Sequence, residues 1–231
     1  MAEHNNLTKY FEEIAKEKLA CFVDERFKRL ELKDKPDLQS EELNIGIEVT
    51  RCLNKKDKNK EDEEDEGATE AFVRETFGSN MPFEERKEIM RKTHASGVMY
   101  QSNDGKVIAH CMLQDPKKKM ETIRESIKEK GIKSKDYKKF KTNCLYLFVN
   151  MQFDECEIRD IIDGVDDNLF DYLFIDIEDG VYVYFSKTQK MTFYKFPDDK
   201  LTSIIDPLKW KYHIGCRHQI PETSNERKQC K

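Results

Sequence analysis

Two acids sit among apolar residues in neighbouring short segments: Asp37 in Pro36-Asp37-Leu38, and Glu48 in Ile45-Gly46-Ile47-Glu48-Val49-Thr50. Both segments carry β-branched residues and are separated by the polar, turn-like residues 40–44, so a hairpin or adjacent strands are expected over 35–39 and 45–50. Strand side chains alternate, which puts Glu48 and Thr50 on one face with Gly46 and sends Ile45, Ile47 and Val49 to the other. A carboxylate beside apolar neighbours costs several kcal/mol unless paired or metal-bound, and two of them together require a cation between them. A hard divalent ion with oxygen ligands, Mg²⁺ or Mn²⁺, meets that need. Gln39 shares the face of Asp37 and is a candidate to orient water or phosphate. Taken singly, each acid has a plainer reading: Asp37 as a turn residue after proline, Glu48 as the partner of Lys35 or Arg51 in a salt bridge.

At these residues the chain resembles the PD-(D/E)xK nuclease superfamily, whose pattern is a helix, a strand with Pro-Asp, a strand with Glu-x-Lys, then a helix and a strand. The motif match lies in the first 50 or so residues, and the order of elements fits to about residue 150. The resemblance implies a restriction-endonuclease-like α/β core (αβββαβ) with a mixed central sheet flanked by helices, and Mg²⁺-dependent hydrolysis of phosphodiester bonds. It makes Asp37 and Glu48 metal ligands. The position of the family lysine, which orients or activates the attacking water, falls on Thr50, where this sequence departs from the pattern. Two replacements present themselves: Lys128 or Lys130 on a downstream helix, which is favoured, or Arg51, whose side chain alternation turns away from Glu48. Members of the superfamily also often place a Glu on the first helix toward the metal. Glu17, with Glu13 one turn earlier, occupies that region.

A net charge of -5 conceals segregation. Residues 115–141 hold eleven Lys and Arg against five acids, whereas residues 154–179 hold eleven acids against Arg159 alone. The basic tract reads either as a solvated helix face or as a phosphate-binding surface, with Lys117, Lys118, Lys119, Lys133 and Lys135 as the candidate contacts to nucleic acid, DNA in preference to RNA. The acidic stretch lacks the spacing of a calcium loop and reads as solvated surface.

The elements that must position these groups follow from periodicity. Apolar residues at near-helical spacing over 7–30 predict a long amphipathic first helix. Residues 54–67 contain no apolar side chain and are expected as a charged, solvated loop, followed by helices near 68–77 and 83–95 and a hairpin of 98–100 with 107–111. Pro116 opens a helix expected to end at Gly131. Residues 144–149 read as a strand buried on both faces, with further strands at 172–177, 181–185 and 191–196. One domain is expected over 1–220, with a disordered tail over 221–231.

Other chemistries find less support. Seven scattered cysteines without a C-x-x-C pair argue against a disulfide framework or a zinc ribbon, and Cys52 and Cys144 read as core thiols. His213, Cys216 and His218 lack a distant fourth ligand. No apolar run has the length of a membrane span, and no export signal precedes the first helix, so a cytoplasmic location, without membrane contact and with homo-oligomerisation open, is the expectation. The two functional expectations are a Mg²⁺-dependent nuclease, and a degenerate nuclease-fold protein that binds nucleic acid or a protein partner without cleaving.

Overall fold

The computed structural model describes residues 2–52, 95–101, 107–113, 116–149, 151–165, 169–177 and 179–212. The expected charged loop at 54–67, the helix at 68–77, that at 83–95 save for Ala95, which begins a strand, the tail at 221–231 and the residues His213, Cys216 and His218 lie outside these.

The first element, α1 (Ala2–Lys18), is shorter than its periodicity suggested. The chain stays helical past Lys18 but changes pitch, through a π-turn at Leu19–Val23 and a 3₁₀ turn at Glu25–Arg29 that is capped by the Asp24 side chain. Apolar spacing alone does not distinguish these pitches. Three short strands follow: β1 (Glu31–Leu32), β2 (Leu38–Ser40) and β3 (Ile45–Arg51). They pair antiparallel in the order β1-β2-β3, with Leu38 opposite Ile47 and Gln39 opposite Gly46. β4 (Ala95–Gln101) and β5 (Val107–Leu113) form a separate antiparallel pair.

α2 (Pro116–Lys133) then carries the chain back so that β6 (Thr142–Phe148) lies parallel to β3, in the register Glu48 to Leu145. Gly131 does not end α2. It is buried inside the helix because Leu169 packs where a side chain would stand; a Cβ there would meet Leu169 at 2.7 Å. The sheet continues through β7 (Tyr172–Asp176), parallel to β6, and then through β8 (Gly180–Phe185) and β9 (Lys190–Lys195), both antiparallel. The result is a seven-stranded mixed sheet in the order β1-β2-β3-β6-β7-β8-β9, flanked by helices.

Two further helices correct the sequence expectation. α3 (Glu155–Asp163) rises within the acidic tract that was expected to be solvated surface. Its start is a reciprocal capping box between Asp154 and Glu157, and Ile158, Ile161 and Ile162 form its buried stripe, so the acids occupy only the outer face. α4 (Asp198–Tyr212), with Pro207 inside it, forms where the sequence reading placed no element.

The core forms on both faces of the sheet. Ile123 and Ile127 of α2 and the isoleucines of α3 cover Leu145, Leu147 and Ile175 on one face. Ala15 and Leu19 of the first helical segment cover Ile45, Ile47, Val49 and Tyr146 on the other. Glu48, registered with Leu145, therefore points to the α2 face. Among the described residues no helix is long and apolar enough to cross a membrane.

Candidate active site

Asp37 does not lie within a strand; it is the last residue of the bend that leads into β2. That bend is held by a dense set of hydrogen bonds. The Gln39 amide donates to the carbonyls of Asp34 at 3.1 Å and Pro36 at 2.8 Å, the Lys33 amide donates to the Asp37 carbonyl at 2.8 Å, and the Lys138 amide donates to the Lys35 carbonyl at 3.2 Å. Gln39 is thus a buried brace of the bend, its NH₂ spent on backbone, and does not stand free to orient water through that group. The Asp37 side chain reaches across to the next strand, where its Oδ2 accepts the Val49 N–H at 2.7 Å. The two acids are consequently neighbours: the Glu48 charge, after burial itself, pushes the Asp37 carboxyl up to about 6, while the Val49 N–H and Lys130 oppose the rise.

Glu48 is buried, with 4% of its surface exposed. Its Oε1 accepts from Lys130 Nζ at 2.5 Å and from the Tyr137 hydroxyl at 3.2 Å. Neither Lys35 nor Arg51 is its partner; the Arg51 guanidinium instead stacks 4.4 Å from the centre of the Phe11 ring. Lys128 is exposed, because two residues along a helix is roughly 200° of rotation. Lys130 is therefore the residue of α2 that brings its ammonium to the acid pair, and Thr50 stays on β3, half-buried, two residues beyond Glu48.

Tyr137 was not foreseen as part of this group. It follows the short 3₁₀ turn Ser134–Asp136 and is pinned on both sides, by its own amide to the Ser134 carbonyl at 3.2 Å and by Asn143, whose side chain holds both backbone groups of Phe140. Burial and the Glu48 charge push its hydroxyl up to about 12, so it stays a donor.

The first helix also contributes an acid other than the one expected. Glu13 turns to α4, where it accepts from Lys211 Nζ and from the Tyr212 hydroxyl at 2.5 Å. Glu17 lies one turn on, at the spacing that shares that side of α1. Glu12 takes the place instead. It is 9% exposed, its carboxylate has no hydrogen-bond donor among the described residues, and burial followed by the charges of Asp37 and Glu48 pushes it up to about 7. The signal that could have found it is helical phase. Glu12 lies three residues before Ala15 and seven before Leu19, on the stripe that faces the sheet.

No family model, curated protein or solved structure matches the chain. The chemistry must be read from the geometry. Asp37 and Glu48 are neighbours beside the ammonium of Lys130, Glu12 feels the charges of both, and the carboxyls of Glu12 and Asp37 rise well above the ordinary carboxylate range. Among the described residues no group of three or more His, Cys, Asp or Glu side chains is disposed to hold a metal ion. Two carboxylates do suit a Mg²⁺ ion, which keeps several waters and binds through one or two carboxylates together with substrate phosphates. The atoms with no donor among the described residues are Asp37 Oδ1 and Glu48 Oε2.

Of the basic candidates, Lys117, Lys118, Lys133 and Lys135 are exposed. Lys119 is not: it is buried, with Nζ donating to the Cys52 carbonyl at 2.7 Å, and so ties α2 to the end of β3 and is lost as a phosphate contact.

Proposed function

We propose that this protein is a Mg²⁺-dependent nuclease of the PD-(D/E)xK type, hydrolysing phosphodiester bonds in DNA in preference to RNA. The single observation that carries the reading is the approach of Lys130 to Glu48 beside Asp37: two acids and a lysine meet although the lysine is absent from the strand position where the resemblance sought it. The order of elements supports it as well, with a helix, three antiparallel strands, a crossover helix and a parallel strand. Manganese would satisfy the same donors.

Asp37 and Glu48 would hold the ion, which when bound supplies Lewis-acid polarisation of a phosphoryl oxygen. The Val49 N–H fixes the Asp37 carboxylate, and the Tyr137 hydroxyl fixes that of Glu48. Lys130 Nζ balances the charge of the acids and carries protons with which to orient an attacking water. Glu12 adds a carboxyl that exchanges its proton near neutrality. Lys117, Lys118, Lys133 and Lys135 lie on α2 and just after it, where they would contact the backbone phosphates without reading bases.

A second reading has its own observation. Glu48 Oε1 is occupied by Lys130 and Tyr137, and no three-residue metal group occurs among the described residues, which favours a degenerate protein that binds and does not cut. Incubation of wild type and Glu48→Ala with labelled DNA and Mg²⁺ separates the two. Cleavage lost in Glu48→Ala supports the nuclease, cleavage that persists removes the proposed site, and salt-dependent binding without cleavage in either protein favours the degenerate reading.

A further inference from the structure

A cleft of about 350 Å³ opens beside Glu48, at the N-terminal ends of the parallel strands β3, β6 and β7. Glu48 and Tyr137 form the wall that it shares with the acid site. Phe170 and Leu169 line the opposite side, and Lys138, Lys139 and Lys187 stand at the edge. The volume lies at the small end of ligand sites, suited to one base with its sugar and too narrow for a base pair. Its chemistry is mixed in the way a nucleotide requires: aromatic carbon for the base, the Asn143, Ser186 and Asp171 side chains among its polar wall groups, and ammonium groups for phosphate. Asp171 is paired with Lys187 at 3.0 Å, and Lys138 with Glu41, so the edge lysines are held in place but exposed, at 69% and 51% of their side-chain surface.

We propose that this cleft receives one unpaired nucleotide adjoining the scissile phosphate, which makes single-stranded DNA, or the frayed end of a duplex, the substrate class. The inference rests on the nuclease reading of Asp37 and Glu48, since it is the position of Glu48 on the cleft wall that puts the neighbouring phosphate at the acids. A base still stacked and paired in a helix cannot enter a space of this size. A strand that is already single pays no unpairing cost to do so.

The test measures binding and cleavage separately. Fluorescence anisotropy with a labelled oligo-dT strand and with a duplex of equal length, in Ca²⁺ to hold off cleavage, reads the pocket. The expected result is at least tenfold tighter binding of the single strand. The double variant Lys138→Glu/Lys187→Glu, which reverses two exposed lysines and is checked for folding by circular dichroism, is expected to weaken single-strand binding at least fivefold and to flatten its salt dependence. Leu169→Trp, checked for folding by circular dichroism, should fill the cleft and weaken single-strand binding while leaving duplex binding unchanged. Equal affinity for duplex and single strand, or no binding of either, overturns the proposal, as does an edge variant with unchanged affinity. Cleavage in Mg²⁺ is then scored on the same substrates. Selective binding of the single strand without cutting sinks the nuclease reading and leaves the pocket standing. Cutting of both substrates at equal rates sinks the pocket and leaves the nuclease.

Discussion

Lys130 Nζ lies 2.5 Å from Glu48 Oε1, although 82 positions separate the two residues in the chain. The contact exists because α2 crosses over the sheet between β3 and β6 and delivers its last turn to the middle of β3. It links a partly solvated cation to a glutamate with 4% of its surface exposed.

Lys130→Met should therefore leave a buried acid without its cation. The expected loss of stability is roughly 1–3 kcal/mol, moderated because Lys130 is partly solvated and Tyr137 remains. Cleavage should fall on the order of 10²-fold if Lys130 orients the water. Lys128→Met, two residues away and exposed, is the control and should stay within about 0.5 kcal/mol of wild type in chemical denaturation.

Acidity should report the crowding of carboxyls. Because Asp37 and Glu12 are raised, the folded protein holds their protons to higher pH than the unfolded chain does. These groups favour folding below the ordinary carboxylate range. That contribution is lost as pH rises through about 6 for Asp37 and about 7 for Glu12. Glu12→Gln removes the later part of the loss, so at pH 8 it should be more stable than wild type by roughly 1–2 kcal/mol. Thermal melts at pH 5 and pH 8 check this: the gain should appear at pH 8 and vanish at pH 5.

Much of this arrangement was legible in the sequence. The alternation of Ile45, Ile47 and Val49 against Glu48 gave the facing of β3, and the β-branched runs gave β6 to β9 to within a few residues. The choice between Lys128 and Lys130 was open to helical phase but was not made from it: Lys130 lies three residues after Ile127 and seven after Ile123, on the stripe that packs on Leu145 and Leu147. Glu12 was passed over in favour of Glu13 and Glu17 for a similar reason. Phase along α1 is fixed by two packing partners, the sheet and α4, and α4 had no counterpart in the sequence reading. Lys119 looked like its basic neighbours because composition does not tell which lysine of a run turns inward to a carbonyl.

Gly46 should tolerate no side chain. A Cβ there would come within 2.6 Å of Phe140 and 2.7 Å of Pro36, both held in place by the bonds that shape the Asp37 bend and the Tyr137 segment. Gly46→Ala is expected to cost about 1–3 kcal/mol in urea unfolding and to disturb the acid pair from outside it.

A second buried ion pair, Lys18 with Asp176 at 2.6 Å, joins α1 to β7 and is completed by the Tyr146 hydroxyl at 2.7 Å. Lys18→Met strands Asp176 in the core and should cost about 3–5 kcal/mol, whereas Lys18→Met with Asp176→Leu should recover much of that loss. Equilibrium denaturation of the two variants separates the penalty of an orphaned charge from the worth of the pair.

Calorimetric titration of Mg²⁺ into wild type, Asp37→Asn and Glu48→Gln tests the account most directly. It predicts one ion bound by the wild type, with affinity reduced at least tenfold in either variant while the fold persists. A wild type that binds no ion, or variants that bind it as tightly as wild type does, would contradict the metal site at Asp37 and Glu48.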